Sequence, residues 1–173
     1  MAKVPFSKLG IKIDSSVSTI LHGDQEIEVK NYIPFTTKVN IVSNVINNSV
    51  DENSFYNPMR VQLYLALEII AECTNISFTA KQSEDPFKLY DMLVSSGLVT
   101  HIRNLIASEW NDIETNVWAT IKNIYDYKNS AMGILDAVST DYSDLNLDAQ
   151  NIQKALGDPN NLTLLKDVMT KLG

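Results

Sequence analysis

The chain has 173 residues, 45% of them apolar, and carries 21 acidic against 14 basic side chains for a net charge of −7. That size and apolar content suit one buried core, and the negative balance, with lysines scattered among acids as in Lys122 to Lys128, argues against a nucleic-acid partner. No run approaches the ~18 apolar residues of a membrane span, the first residues lack an apolar stretch of leader length, and a single cysteine excludes disulfide-dependent folding, so a cytosolic protein with no membrane partner is expected.

Residues 10–33 read as a β-hairpin. Gly10-Ile11-Lys12-Ile13-Asp14 alternates, Val17 to His22 is rich in β-branched residues, and Gln25 to Lys30 alternates polar and apolar after Gly23-Asp24, where the turn is expected. Ile27, Val29 and Asn31 share one face, and Glu26, Glu28 and Lys30 share the other. A lone hairpin is marginal in water, so it must lie on helices or add to the sheet of another chain.

Residues 36–172 read as a helical body. Thr36 or Thr37 caps a helix with a stripe of Val39, Val42, Val45 and Ile46 that runs out in Asn47-Asn48-Ser49. Asn57-Pro58 pairs a capping residue with proline at the first helical position. The segment from Met59 to Cys73 that follows is apolar on every side, which makes it the centre of the core with Cys73 as a small buried hydrophobe. Ser83-Glu84-Asp85-Pro86 starts another helix, and Gly97 ends it in the left-handed region. A short amphipathic stretch carries Ile102, Leu105 and Ile106. From residue 109 to 138 a long helix is expected, with Trp110, Ile113, Val117, Ile121, Ile124, Ala131, Leu135 and Val138 as its seam. Two further helices close the pattern, Asn151 to Leu156 and a last one through Leu162, Leu165, Val168, Met169 and Leu172. The fold class is therefore mainly α (α+β), a multi-helix single domain over residues 1–173 with a short N-terminal hairpin.

Motifs that carry chemistry fail one by one. His22 and His101 lack a second ligand at helical spacing, so no zinc site is built. Asp144, Asn146 and Asp148 match the first ligands of a calcium loop, but Ala149 stands where glycine is needed and Ala155 where the bidentate glutamate is needed. Glu68 and Glu72 sit one turn apart without the Glu-x-x-His partner of a carboxylate-bridged metal pair. The scattered glycines form neither a phosphate loop nor a dinucleotide fingerprint, and Ser96-Gly97 is a helix stop rather than a nucleophile elbow. The reading is no enzyme, with no catalytic, cofactor-binding or metal-binding residue and no cofactor.

Aromatic residues outside the apolar stripes are the candidates for partner binding: Tyr32 and Phe35 after the hairpin, and Phe55 and Tyr56 in a polar connection. Such residues anchor interfaces or fold back as loop plugs, and the pattern alone leaves both open. Trp118, Tyr125 and Tyr127 lie off the long-helix seam, so two of its faces pack, against neighbouring helices or against another copy of the chain.

Four segments carry a resemblance: Glu28-Val29-Lys30-Asn31-Tyr32-Ile33-Pro34, Thr74-Asn75-Ile76-Ser77-Phe78-Thr79, Asp85-Pro86-Phe87-Lys88-Leu89-Tyr90-Asp91-Met92-Leu93 and Leu164-Leu165-Lys166-Asp167. Together they resemble small proteins of tailed phages and prophages of low-GC Gram-positive bacteria, over nearly the whole chain. The resemblance implies a morphogenesis or virion accessory role, as a tail assembly chaperone or a head-tail or neck connector component. It also implies a place in the host cytoplasm during assembly or in the virion, with other phage structural proteins or further copies of the chain as partners. The alternative from another class is a phage-encoded inhibitor that binds a host protein through an acidic surface.

Overall fold

A computed structural model describes residues 3–51 and 55–135. The calcium-like run at Asp144 to Asp148, the two expected closing helices and Val138 of the expected long-helix seam lie outside them. The chain divides into two compact units, Met1–Lys122 and Asn123–Gly173.

The first unit is mainly helical behind an antiparallel hairpin. Strand β1, Val17–His22, pairs with β2, Gln25–Lys30, from Val17 opposite Lys30 to His22 opposite Gln25. The chain turns at Gly23-Asp24, where Gly23 takes φ 61°, a left-handed conformation that glycine adopts without strain. Ile27 and Val29 are buried while Glu26, Glu28 and Lys30 are exposed, the alternation expected of a strand wet on one side. The hairpin's open end is tied by Asn31, whose N–H donates to the Ser16 carbonyl and whose side chain accepts from the Ser18 hydroxyl at 2.6 Å. The second strand is also fixed to the helical body: Asn75 exchanges hydrogen bonds with Glu28, and the Lys30 ammonium donates to the Glu72 carbonyl at 2.8 Å.

The strand does not reach back to residue 10 as the alternation of Ile11 and Ile13 predicts. Phe6–Leu9 forms a 3₁₀ turn closed by Gly10, and residues 10–16 have no strand partner. Alternation describes which side chains share a face, but a strand also needs a backbone ladder, and this segment has none.

Helices follow in order: α1 Phe35–Asn48, α2 Pro58–Cys73, α3 Ala80–Ser83, α4 Pro86–Ser95, α5 Leu98–Leu105 and α6 Ala107–Lys128. The first of them starts at Phe35, directly after Pro34, without a side-chain cap, so neither Thr36 nor Thr37 has the capping role expected of it. It packs on α2 through Ile41 and Val45, both fully buried. Asn57 caps α2, accepting from the N–H groups of Met59 and Arg60, and Pro58 occupies the first turn. Eight residues of α2, from Val61 to Cys73, are buried, and this helix is the centre of the core. Met59 is the exception, exposed in the first turn.

The buried hydroxyl of Ser49 donates back to the Val45 carbonyl, and the Ser49 carbonyl accepts from Asn57, so the exit of α1 is locked to the entry of α2. A short helix absent from the sequence reading, α3, is set by a capping box in which Thr79 and Gln82 satisfy each other's backbone. Asp85 caps α4, and Gly97 at φ 78° separates it from α5.

The long helix begins at Ala107 and ends at Lys128, short of residue 138. The chain breaks from helix at Asn129-Ser130, where the Ser130 hydroxyl donates to the Tyr127 carbonyl and accepts from the Gly133 N–H, and helix resumes over 131–135. A serine that captures both a free carbonyl and a free N–H favours a cap over an uninterrupted helix. Trp110, Ile113, Val117 and Ile121 are the buried seam of α6, as their spacing predicts, but Ile124 is half-buried, Ala131 and Leu135 are exposed, and Trp118, Tyr125 and Tyr127 are exposed rather than packed as a second face.

Candidate functional site

The apolar positions of α1 divide between two sides of the helix. Ile41 and Val45 face α2, but Phe35, Val39, Val42 and Ile46, spaced four, three and four apart, form a second apolar row. Of these only Ile46 is buried, and Phe35 is 76% exposed. The row lines one wall of a groove of about 580 Å³ between α1 and α6, and the facing wall is Asp112, Ile113, Asn116 and Thr120. The α1 wall is mainly apolar, with Lys38 and Ser43 beside the row, and the α6 wall is mainly polar apart from Ile113, with Asn116 and Thr120 each donating to a carbonyl of their own helix one turn back.

A charged cluster holds the two helices in register. Lys38 Nζ lies 2.7 Å from Asp112 Oδ2 and 3.0 Å from Glu109 Oε2. The same Glu109 oxygen accepts the backbone N–H of Ile33 at 3.0 Å, which fixes the loop between β2 and α1 against α6. The Lys38 and Glu109 side chains are 17% and 16% exposed. Burial acts to lower the Lys38 ammonium, yet hydrogen bonds to Asp112 and Glu109 and the charges of both outweigh it and hold the group above the ordinary lysine value.

The four aromatic candidates do not converge. Phe35 stands in the α1–α6 groove, and Tyr32 lies just before α1, with its ring 6.0 Å from Lys38 Nζ, a distant cation–π contact. Phe55 and Tyr56 lie past the other end of α1, and a helix of 14 residues spans about 20 Å. Phe55 is 66% exposed while its backbone N–H is held by the Asp51 carboxylate, and Tyr56 is partly buried in a bridge with Val50. The side chains of Phe35 and Phe55 are therefore free for a partner, and Tyr56 is closer to a loop plug. Sequence reasoning missed Val39 and Val42, exposed and half-buried, as groove residues and Lys38, Glu109 and Asp112 as the cluster that frames them. The spacing of Phe35, Val39, Val42 and Ile46 was the signal for a second apolar row.

Other chemistry-bearing residues are accounted for locally. Cys73 is a fully buried free thiol, pushed up to about 12 chiefly by burial. Glu68 accepts from the Asn44 amide at 2.8 Å, and the Arg60 guanidinium donates to the Val50 carbonyl at 3.0 Å rather than reaching Glu68. Among the described residues no three His, Cys, Asp or Glu side chains are grouped to hold a metal ion, and no helix is long and apolar enough to cross a membrane. Compared with protein-family models, with curated proteins and with solved structures, the chain matches none.

Proposed function

We propose that this protein acts by protein–protein association in the assembly of a tailed-phage particle, as a tail assembly chaperone or as a head-tail or neck connector component, without catalysing a reaction. The observation that carries the association reading is the groove row of exposed Phe35 and Val39 and half-buried Val42 beside α6. Such a groove suits an amphipathic segment of a partner, with its apolar side chains against α1 and its polar or basic edge towards Asp112. The phage setting rests on the resemblance of the four quoted segments. An inhibitor with an acidic surface has Asp24, Glu26 and Glu28 in its favour, all exposed at the hairpin, but Lys30 shares their face and breaks the field that mimicry of nucleic acid needs.

The test is deletion of the coding sequence from the phage genome that carries it, followed by induction and electron microscopy of the lysate. The proposal predicts unjoined heads and tails or missing tails, with wild-type particles restored by expression of the protein in trans. Normal particles in normal number would overturn it.

A further inference from the structure

Every residue from Lys3 to Val17 is exposed, including Val4, Phe6, Leu9, Ile11 and Ile13, the last at 77%. Five exposed apolar side chains in so short a stretch are a surface without its partner. The charge of the segment is as unusual as its exposure. Lys3, Lys8 and Lys12 are three of the chain's 14 basic residues, and all 21 acidic residues lie outside 3–13. A cationic, apolar arm thus precedes a strongly anionic body, and the surface that complements it best is that body.

The body offers one open backbone edge of matching form. Asn31 donates to Ser16, so the paired groups of β1 are those of Ser18, Ile20 and His22, and the N–H and C=O of Val17, Thr19 and Leu21 turn away from β2. No backbone partner is recorded for them among the described residues. The opposite edge of the hairpin is already taken, because Glu28 bonds Asn75. Strand β1 is therefore an unprotected sheet edge.

We propose that residues 9–14 of one copy add as a third strand to the β1 edge of a second copy, so that two chains exchange arms. In a strand Leu9, Ile11 and Ile13 share one face and Lys8, Lys12 and Asp14 the other. With Ile11 and Ile13 on the side where Ile20 and α5 lie, Lys12 and Asp14 fall on the wet side with Glu26, Glu28 and Lys30. Two strand spacings, about 10 Å, separate Lys12 from the two glutamates, a gap that the long side chains cross. The exchange uses a surface distinct from the α1–α6 groove, so it stands or falls independently of the proposed function. It also makes a two-fold dimer in which each arm is covered and neither edge is left open.

The experiment is sedimentation velocity of the full chain over a concentration series, at low and high salt, with variants that leave the core untouched. The wild type should dimerise, more weakly at high salt. Ile11→Asp with Ile13→Asp should weaken the dimer at least tenfold without moving the melting temperature, since both residues are exposed. Lys12→Glu should weaken it several-fold, and combining it with Glu26→Lys and Glu28→Lys should restore it. A wild type that stays monomeric at 100 µM, about the top of the series, or a dimer indifferent to all these substitutions, would overturn the proposal. So would an arm that serves only to bind vesicles of anionic phospholipid, measured by co-flotation, while the protein remains monomeric.

Discussion

Replacing Glu109 by alanine tests the hydrogen-bonded link between α6 and the loop that leads into α1. One carboxylate oxygen accepts the Ile33 N–H and pairs with Lys38, each at 3.0 Å. Losing a charged acceptor from a part-buried backbone donor costs about 1.5–3 kcal/mol. Lys38 keeps its second partner, but the Asp112 side chain is 51% exposed, so solvent screening limits that contact to less than about 1 kcal/mol, and the lost pair adds a similar amount. Glu109→Ala should therefore lower stability by about 2–4 kcal/mol. With a urea dependence of about 2 kcal/mol per molar, the middle of the usual range, the midpoint falls by about 1–2 M. Glu109→Gln retains an acceptor for Ile33 and loses only the ion pair, so its loss should be about 1 kcal/mol. Urea unfolding at pH 7, followed by circular dichroism, reads both variants. A Glu109→Ala midpoint equal to the wild type, or a Glu109→Gln variant as unstable as Glu109→Ala, would refute the reasoning.

Ile70 is fully buried at the centre of α2, so Ile70→Ala should cost about 2–5 kcal/mol in the same assay, whereas Met59→Ala, at an exposed position, should change stability by less than about half a kcal/mol. The Cys73 thiol has a folded value of about 12 against an ordinary 9.0. Because the folded value is the higher one, its contribution is complete below the ordinary thiol range and is lost as the unfolded chain ionises; unfolding at pH 9 and pH 10 should differ by about 1 kcal/mol more in the wild type than in Cys73→Ala. Lys38 follows the same sign: its raised value gives stability that is complete below about pH 10 and is lost as pH rises through the folded value, so Lys38→Met should show a shallower alkaline decline above pH 10. Phe35→Asp should leave the melting temperature within a degree or two, about the scatter of a surface substitution, because the side chain it replaces is exposed; a large fall in thermal unfolding would mean that Phe35 supports the fold.

The features legible in the sequence are those written in neighbouring residues. Gly23-Asp24 sets a turn, Asn57-Pro58 and Asp85-Pro86 set helix starts, and Gly97 sets a stop, each by a local backbone preference that the rest of the fold does not override. The groove was not legible for the opposite reason. Val39, Val42, Val45 and Ile46 read as one stripe, yet whether a stripe is covered depends on where neighbouring helices lie, and here Ile41 and Val45 take the covered side while Val39 is exposed and Val42 half-buried. Glu109 looked like one acid among many, since its two partners, Ile33 and Lys38, stand more than 70 residues earlier in the chain. The segment before β1 shows the same limit. Its alternation was visible, but the absence of a backbone partner for Ile11 and Ile13 was not, and the overall negative charge hid a stretch, residues 3–13, whose only charges are lysines.

The claim that association through the α1–α6 groove drives particle assembly is tested most directly by complementation of the deletion phage with Phe35→Asp, Val39→Asp protein. Electron microscopy should then show the same unjoined or tailless particles as the deletion itself, although the variant protein accumulates and melts like the wild type. Full restoration of tailed particles by that variant would contradict the account, because a charged groove would then serve assembly as well as an apolar one.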